Sequence, residues 1–204
     1  MDSSEIFNRL DLHSDAIAIA IVGLALVLIL FINRKRLRVA FAEWRIQRCL
    51  SRIGGEQIRQ LVCDDGLDGY YRIDRLALTP NAILLIAYRP YVGNIYCADS
   101  ISEWTQVIGQ KSFKFENPLF EIENQLTSLR QLVGNVAVRG YLFFNHSAEF
   151  PKGHPAAVLT PDNIPEEFLN TDLESVNPEI RAAWELLKSH QQETDENRQV
   201  GVKT

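Results

Sequence analysis

The chain has 204 residues, 46% of them hydrophobic, and a formal net charge of −5; that is room for one ordinary domain with a short addition. The charge is unevenly divided: residues 34–52 carry seven basic side chains and one acid, whereas residues 54–204 carry 13 Lys and Arg against 21 Asp and Glu, a net of −8. A domain that acidic has no overall attraction for phosphate backbones, which excludes nucleic-acid binding driven by its general charge.

At the N-terminus, residues 1–15 hold Asp2, Glu5, Asp11 and Asp15 against Arg9 alone, and residues 16–32 then read AIAIAIVGLALVLILFI without a charged or polar side chain. A helix of that length covers roughly 25 Å at about 1.5 Å per residue. The hydrocarbon core is about 30 Å thick, so Asp15 and Arg34 are expected at its two interfaces. A cleaved signal peptide would carry a net positive charge before the apolar run and a small-residue site after it, whereas here the preceding segment is net acidic and no such site follows Ile32. The expectation is a retained transmembrane helix over residues 16–33, with residues 1–15 outside and everything after Arg34 in the cytoplasm.

Residues 34–53 are predicted as a basic juxtamembrane helix. Leu37, Phe41 and Trp44 lie on one stripe and Ile46, Leu50 and Ile53 on another. Basic residues there are expected against anionic lipid headgroups, each contributing on the order of 1 kcal/mol. The alternative use of the Leu37/Phe41/Trp44 stripe is the pairing of protomers into a homo-oligomer.

A domain is expected over residues 54–188. Gly54-Gly55 breaks the stalk, and residues 56–62 read as a short helix. Residues 72–78 alternate in part, Thr79-Pro80-Asn81 has turn chemistry, and residues 83–89 form a continuous apolar run suited to a central strand. Residues 93–97 supply a third strand, so the three read as a meander. Asn117-Pro118 predicts a helix with Asn as N-cap and Pro at its first position, carrying Leu119, Ile122, Leu126, Leu129 and Val133 inward and ending at Gly134. Residues 136–144 then read as a buried strand and residues 157–159 as an edge strand. Asn177-Pro178 predicts a last helix to about Leu187, and the polar residues 189–204 a disordered tail. The fold class is α/β with the order helix, three strands, helix, strand.

Cys49, Cys63 and Cys97 form no CxxC pair, and His13, His146, His154 and His190 are scattered without a zinc spacing. No GxSxG elbow, P-loop or GxGxxG is present. The run from Gly55-Glu56 through Ile73-Asp74, Leu78-Thr79-Pro80, residues 83–89, Gly93-Asn94-Ile95, Trp104 and Asn117-Pro118 resembles the nuclease-related domain, NERD, a member of the PD-(D/E)XK nuclease group. The resemblance covers about residues 53–145 and implies a restriction-endonuclease-like αβββαβ core. It also implies a bacterial inner-membrane protein and Mg²⁺-dependent chemistry on nucleic acid.

Active nucleases of that group hold the metal with an Asp on the second strand and a Glu-x-Lys on the third, which concentrates Mg²⁺ beside the scissile phosphate and acidifies a bound water. The matching positions here are Asp74 and Ala87-Tyr88-Arg89, so the Glu is absent and the Lys is Arg89. With the turn centred between Pro80 and Asn81, Asp74 falls opposite Ala87 and Arg72 opposite Arg89, on one face of the hairpin. An ion pair of Asp74 with Arg72 or Arg89 is then expected. Glu56 is the remaining candidate ligand beside Asp74, with a first-turn acid favourable to a helix dipole as its plainer reading. Asp99 and Glu103 are further candidates for a migrated carboxylate, and Gln106 and Lys111 are placed near the same cleft. The expectation is a membrane-anchored protein with a degenerate nuclease site that acts by binding nucleic acid or a protein partner. It has no cofactor, or Mg²⁺ if activity is retained.

Overall fold

The computed structural model describes residues 23, 28–34, 36–64, 69–169 and 172–201. The N-terminal segment and most of the expected membrane span lie outside the described residues. Among those described, no helix is long and apolar enough to cross a membrane. The chain divides into two compact units, Met1–Gln47 and Arg48–Thr204.

In the first unit, residues 28–34 are helical, and helix α1 covers residues 36–50, with its last turn in the second unit. The Asn33 side chain donates to the Ile29 carbonyl at 2.9 Å, and the Arg34 guanidinium lies 4.5 Å over the Phe31 ring. Phe41 and Trp44 stack at 5.7 Å.

In chain order the second unit runs β1 (Gln57–Asp64), β2 (Tyr70–Leu78), β3 (Ile83–Arg89), β4 (Gly93–Tyr96), β5 (Glu103–Ile108), β6 (Lys111–Glu116), α2 (Pro118–Val133), β7 (Val138–Phe144), β8 (Ala148–Glu149), β9 (Val158–Leu159), α3 (Glu166–Leu169), a 3-10 turn (Leu173–Ser175) and α4 (Pro178–Gly201). A five-stranded sheet has the order β1-β2-β3-β7-β9, and a four-stranded sheet the order β6-β5-β4-β8. β1, β2 and β3 are antiparallel neighbours, while β7 lies parallel to β3 and is reached through α2. The mixed α/β class is as expected, but the order differs: the first of the three strands of the central sheet before α2 is β1, where a helix is expected from the sequence, and β4 to β6 are inserted before α2.

The β2–β3 hairpin has the register expected from its turn: Leu78 pairs with Ile83 and Arg75 with Ile86. Thr79 fixes the turn, its hydroxyl donating to the Ala82 carbonyl at 2.7 Å and accepting the Ala82 amide at 3.2 Å. Leu76, Leu78, Ile83, Leu85 and Ala87 join the core under α2, whose Ile122, Leu126 and Leu129 are buried. The Asn117 side chain caps α2 by accepting the Leu119 amide at 3.0 Å, and the Gly134 amide closes the other end on the Arg130 carbonyl. Gly140 on β7 lets α2 approach closely, since a Cβ there would lie 2.3 Å from the Ile122 side chain.

Three expectations are corrected. Residues 56–62 are not a helix: Gln57–Asp64 is strand β1, paired with β2. Gly54 explains the tight entry to it, with φ +74 and a backbone so close to β2 that a Cβ would sit 2.8 Å from Ala77 Cβ and Leu78 O. The third strand of the expected meander, β4, belongs to the four-stranded sheet, where it pairs with β5 and β8. The last helix runs on through residues read as a disordered tail, to Gly201.

Candidate functional site

Asp74 occupies an interruption in the sheet. The β1–β2 ladder pairs Arg59 with Arg75 and Leu61 with Ile73 but skips the intervening Gln60 and Asp74, and the β2–β3 ladder ends at Arg75–Ile86, one position before Asp74 and Ala87. Gln60 has φ +57, the left-handed conformation that costs an L-residue with a Cβ roughly 1–2 kcal/mol. Backbone strain of this kind collects at functional positions. Here it lies directly across from the one carboxylate on the central face of β2.

From β3, Arg89 reaches that carboxylate. Its Nη1 is 3.8 Å from Asp74 Oδ2, and its Nη2 donates to Glu121 Oε2 on α2 at 2.5 Å. The Arg89 side chain is 16% exposed, against 41% for Asp74 and 52% for Glu121. A guanidinium therefore lies between two half-solvated carboxylates, tight on the helix side and loose on the strand side. Gln125, one turn along α2, donates to Glu121 Oε1 at 3.1 Å and to the Arg72 carbonyl at 3.4 Å. Gln125 is buried, and its Oε1 has no hydrogen-bond partner among the described residues. Arg72 thus enters through its backbone, and Arg89 supplies the ion pair with Asp74.

These residues do not fit a divalent cation. A metal site needs convergent anionic oxygens, and the two carboxylates that converge here are already joined to a guanidinium. Ala87 is a buried methyl group in the core. Among the described residues no group of three or more His, Cys, Asp or Glu is arranged to hold a metal ion.

The structure does not bring Glu56 to Asp74. The Glu56 carbonyl accepts the Leu78 amide, four residues along β2 from Asp74, a separation of about 13 Å at strand rise. The Glu56 carboxylate instead receives Arg181 Nη1 at 2.7 Å, Trp184 Nε1 at 2.9 Å and Lys188 Nζ at 3.3 Å, all from α4. Burial alone would raise its pKa, but the indole, the guanidinium and the ammonium together hold it below the ordinary carboxylate value. Glu103 pairs with Lys114 at 3.1 Å, and Asp99 is exposed, its carbonyl accepting from Asn117. Gln106 donates to the Val92 carbonyl, and Lys111 opens β6 beside the hairpin turn at Gly109. Trp104 is fully buried in the core and donates to the Ala98 carbonyl at 3.0 Å.

Glu121 is the member of this cluster that sequence reasoning missed. It sits in the first turn of α2, where an acid is unremarkable. The available signal was the line Glu121, Gln125, Ser128 beside the apolar stripe, of which Gln125 and Ser128 are buried.

A cleft of about 420 Å³ opens where β3 ends and α2 begins, lined by Arg89, Tyr91, Phe115, Asn117, Phe120 and Glu121 among others. This is the carboxyl-end side of the parallel β3–α2–β7 unit, the usual place for ligands in such units. The inserted sheet and the link leading into it build its aromatic wall: Tyr91, between β3 and β4, and Phe115 lie 4.6 Å apart, and Trp104 packs edge-on to Phe115 at 6.2 Å. Phe120 is 44% exposed. Burial pushes the Cys63 and Cys97 thiols up to about 11, the latter with help from Asp99, and raises that of Cys49 as well, which disfavours the thiolate form.

No curated protein and no solved structure matches the chain. The family model of the nuclease-related domain matches residues 38–145, more than half of the chain and the stretch that runs from α1 through the Asp74–Arg89–Glu121 cluster to the end of β7, and the chain belongs to that family, NERD.

Proposed function

We propose that this NERD protein is tethered to a bacterial inner membrane by residues 16–33, with its domain in the cytoplasm, and that it acts by binding rather than by metal-dependent cleavage. The observation that carries the reading is the Arg89 guanidinium between Asp74 and Glu121, with Ala87 in the place of the second strand-borne carboxylate. A divalent ion would have to expel a bonded cation and would then meet one helix carboxylate and one aspartate.

The cleft beside that cluster suits an unpaired base better than a duplex. Tyr91, Phe115 and Phe120 offer π-faces, base stacking on aromatics contributes about 1–3 kcal/mol per base, and the net charge of −8 over residues 54–204 repels a long phosphate backbone. The tether rests on the sequence of residues 16–32 and on the acidic-before, basic-after charge order.

The test uses the full chain in detergent micelles with Mg²⁺ or Mn²⁺ and single-stranded, duplex or branched DNA. Expected are intact DNA in every case and an anisotropy rise with the single-stranded oligonucleotide that is lost in Phe120→Ala. Cleavage that disappears in Asp74→Ala overturns the reading. Carbonate extraction of membranes tests the tether independently, and release into the supernatant rejects it.

A second reading, a nuclease with a migrated carboxylate, is favoured by one observation. Glu121, rather than Glu56, Asp99 or Glu103, shares a cation with Asp74. It requires Arg89 to leave on substrate binding, and the cleavage assay decides between the two readings.

A further inference from the structure

Helix α1 presents Leu37, Phe41 and Trp44 at i, i+4 and i+7, and these side chains are 47%, 60% and 52% exposed. Phe41 and Trp44 stack at 5.7 Å, so the aromatic pair is held as one rigid apolar projection. Exposed arginines flank it along one edge: Arg38 lies three positions before Phe41 and Arg45 four after it. Residues at these spacings are neighbours on a helix surface. The acid in this stretch, Glu43, lies off that face and accepts from Gln47 at 3.0 Å.

A protomer-pairing face would carry its charges at the edges with alternating sign, because like charges brought together across a symmetric contact repel. Here apolar and cationic groups share one side and the cations are all arginine. That arrangement is complementary to a surface with an apolar interior and an anionic rim. Tryptophan and phenylalanine are favoured at the headgroup level, and each arginine near an anionic leaflet adds to the attraction. We infer that Leu37, Phe41 and Trp44, flanked by Arg38 and Arg45, form a surface that inserts shallowly into the interface of an anionic bilayer. This rests on the tethered reading for its geometry, but it assigns to α1 a lipid contact of its own, separate from any membrane span.

Trp104 and Trp184 are 0% exposed, so the aqueous-quenchable tryptophan signal belongs to Trp44. The full chain is reconstituted into vesicles of phosphatidylcholine alone or with about one-third phosphatidylglycerol, and emission is titrated with acrylamide while flotation is read separately. Expected in the anionic vesicles are a blue shift and a quenching constant roughly threefold lower than in the zwitterionic ones. Both differences are expected to disappear in Phe41→Ser and in Arg38→Gln/Arg45→Gln. Equal quenching in the two vesicle types overturns the inference, and if the protein floats with both, the tether stands without it. Shielding that grows with the protein-to-lipid ratio in both vesicle types identifies a self-association face and also overturns it. Flotation with anionic vesicles alone, with Trp44 shielded, supports the α1 surface and removes the span.

Discussion

Replacing Arg89 by Ala removes the one positive charge shared by Asp74 and Glu121 and so converts a neutralised cluster into two facing carboxylates. The structure sets the size of the effect. Arg89 makes a tight charged hydrogen bond to Glu121 at 2.5 Å, a loose contact with Asp74 at 3.8 Å and a donation to the Tyr88 carbonyl at 3.2 Å. Because the carboxylates are 41% and 52% exposed, water takes over much of what the guanidinium supplied, and the loss is expected at about 1–2 kcal/mol rather than the several kcal/mol of a buried pair. The two freed carboxylates then become a weak cation site. With a dissociation constant on the order of 1 mM, about 10 mM Mn²⁺ returns roughly 1.4 kcal/mol to the variant. Urea unfolding of wild type, Arg89→Ala and Asp74→Ala/Arg89→Ala, each with and without Mn²⁺, measures both quantities. The reasoning is refuted if wild type gains as much from Mn²⁺ as Arg89→Ala does, or if the double variant keeps the response.

Restoring the nuclease pattern with Ala87→Glu and Arg89→Lys is expected to produce Mg²⁺-dependent DNA cleavage absent from wild type. A gel assay reads it, and no gain in a folded variant counts against Ala87 as the lost ligand position. Gly140→Ala forces a methyl group to within 2.3 Å of Ile122, so overpacking should cost about 1–3 kcal/mol in urea unfolding; a neutral result would mean that α2 moves freely over β7. Glu56 has a folded pKa held below its unfolded value. Its contribution to stability is therefore full above about pH 4.5 and is lost as pH falls through the depressed folded value. Glu56→Gln should be less stable than wild type at pH 7, with the gap closing below pH of about 4; parallel stability profiles down to about pH 3 would rule this out.

The parts of the fold legible in the sequence were those fixed by local chemistry. The Thr79-Pro80-Asn81 turn dictated the β2–β3 register, and Asn117, Pro118 and Gly134 bracketed α2, because caps and turns act within a few residues. Strand β1 was illegible for a specific reason. Ile58 and Leu61 are both buried with Arg59 and Gln60 exposed between them, a helix-like spacing that arises because Gln60 takes a positive φ and throws the strand out of alternation. In α4 the sequence beyond Leu187 carries no apolar stripe, yet it holds several Gln and Glu residues, which extend a helix once packing has started it. Of the site, the pairing of Asp74 with Arg89 followed from the hairpin. Glu121 did not, since its partner lies 32 residues away in sequence and local pattern carries no such information. Glu56 was misplaced because it is gripped by α4, a partner more than a hundred positions away.

The insertion of β4 to β6 between Arg89 and Glu121 divides the assembly of the site in time. Asp74 and Arg89 meet as soon as one short hairpin closes, a microsecond-scale event. Glu121 arrives only after the loop containing three further strands has closed and α2 has docked, and contacts of such long sequence separation form late. The cluster is therefore expected to exist first as a half-site with an open guanidinium, a species that synthesis from the N-terminus would expose before the rest of the domain emerges.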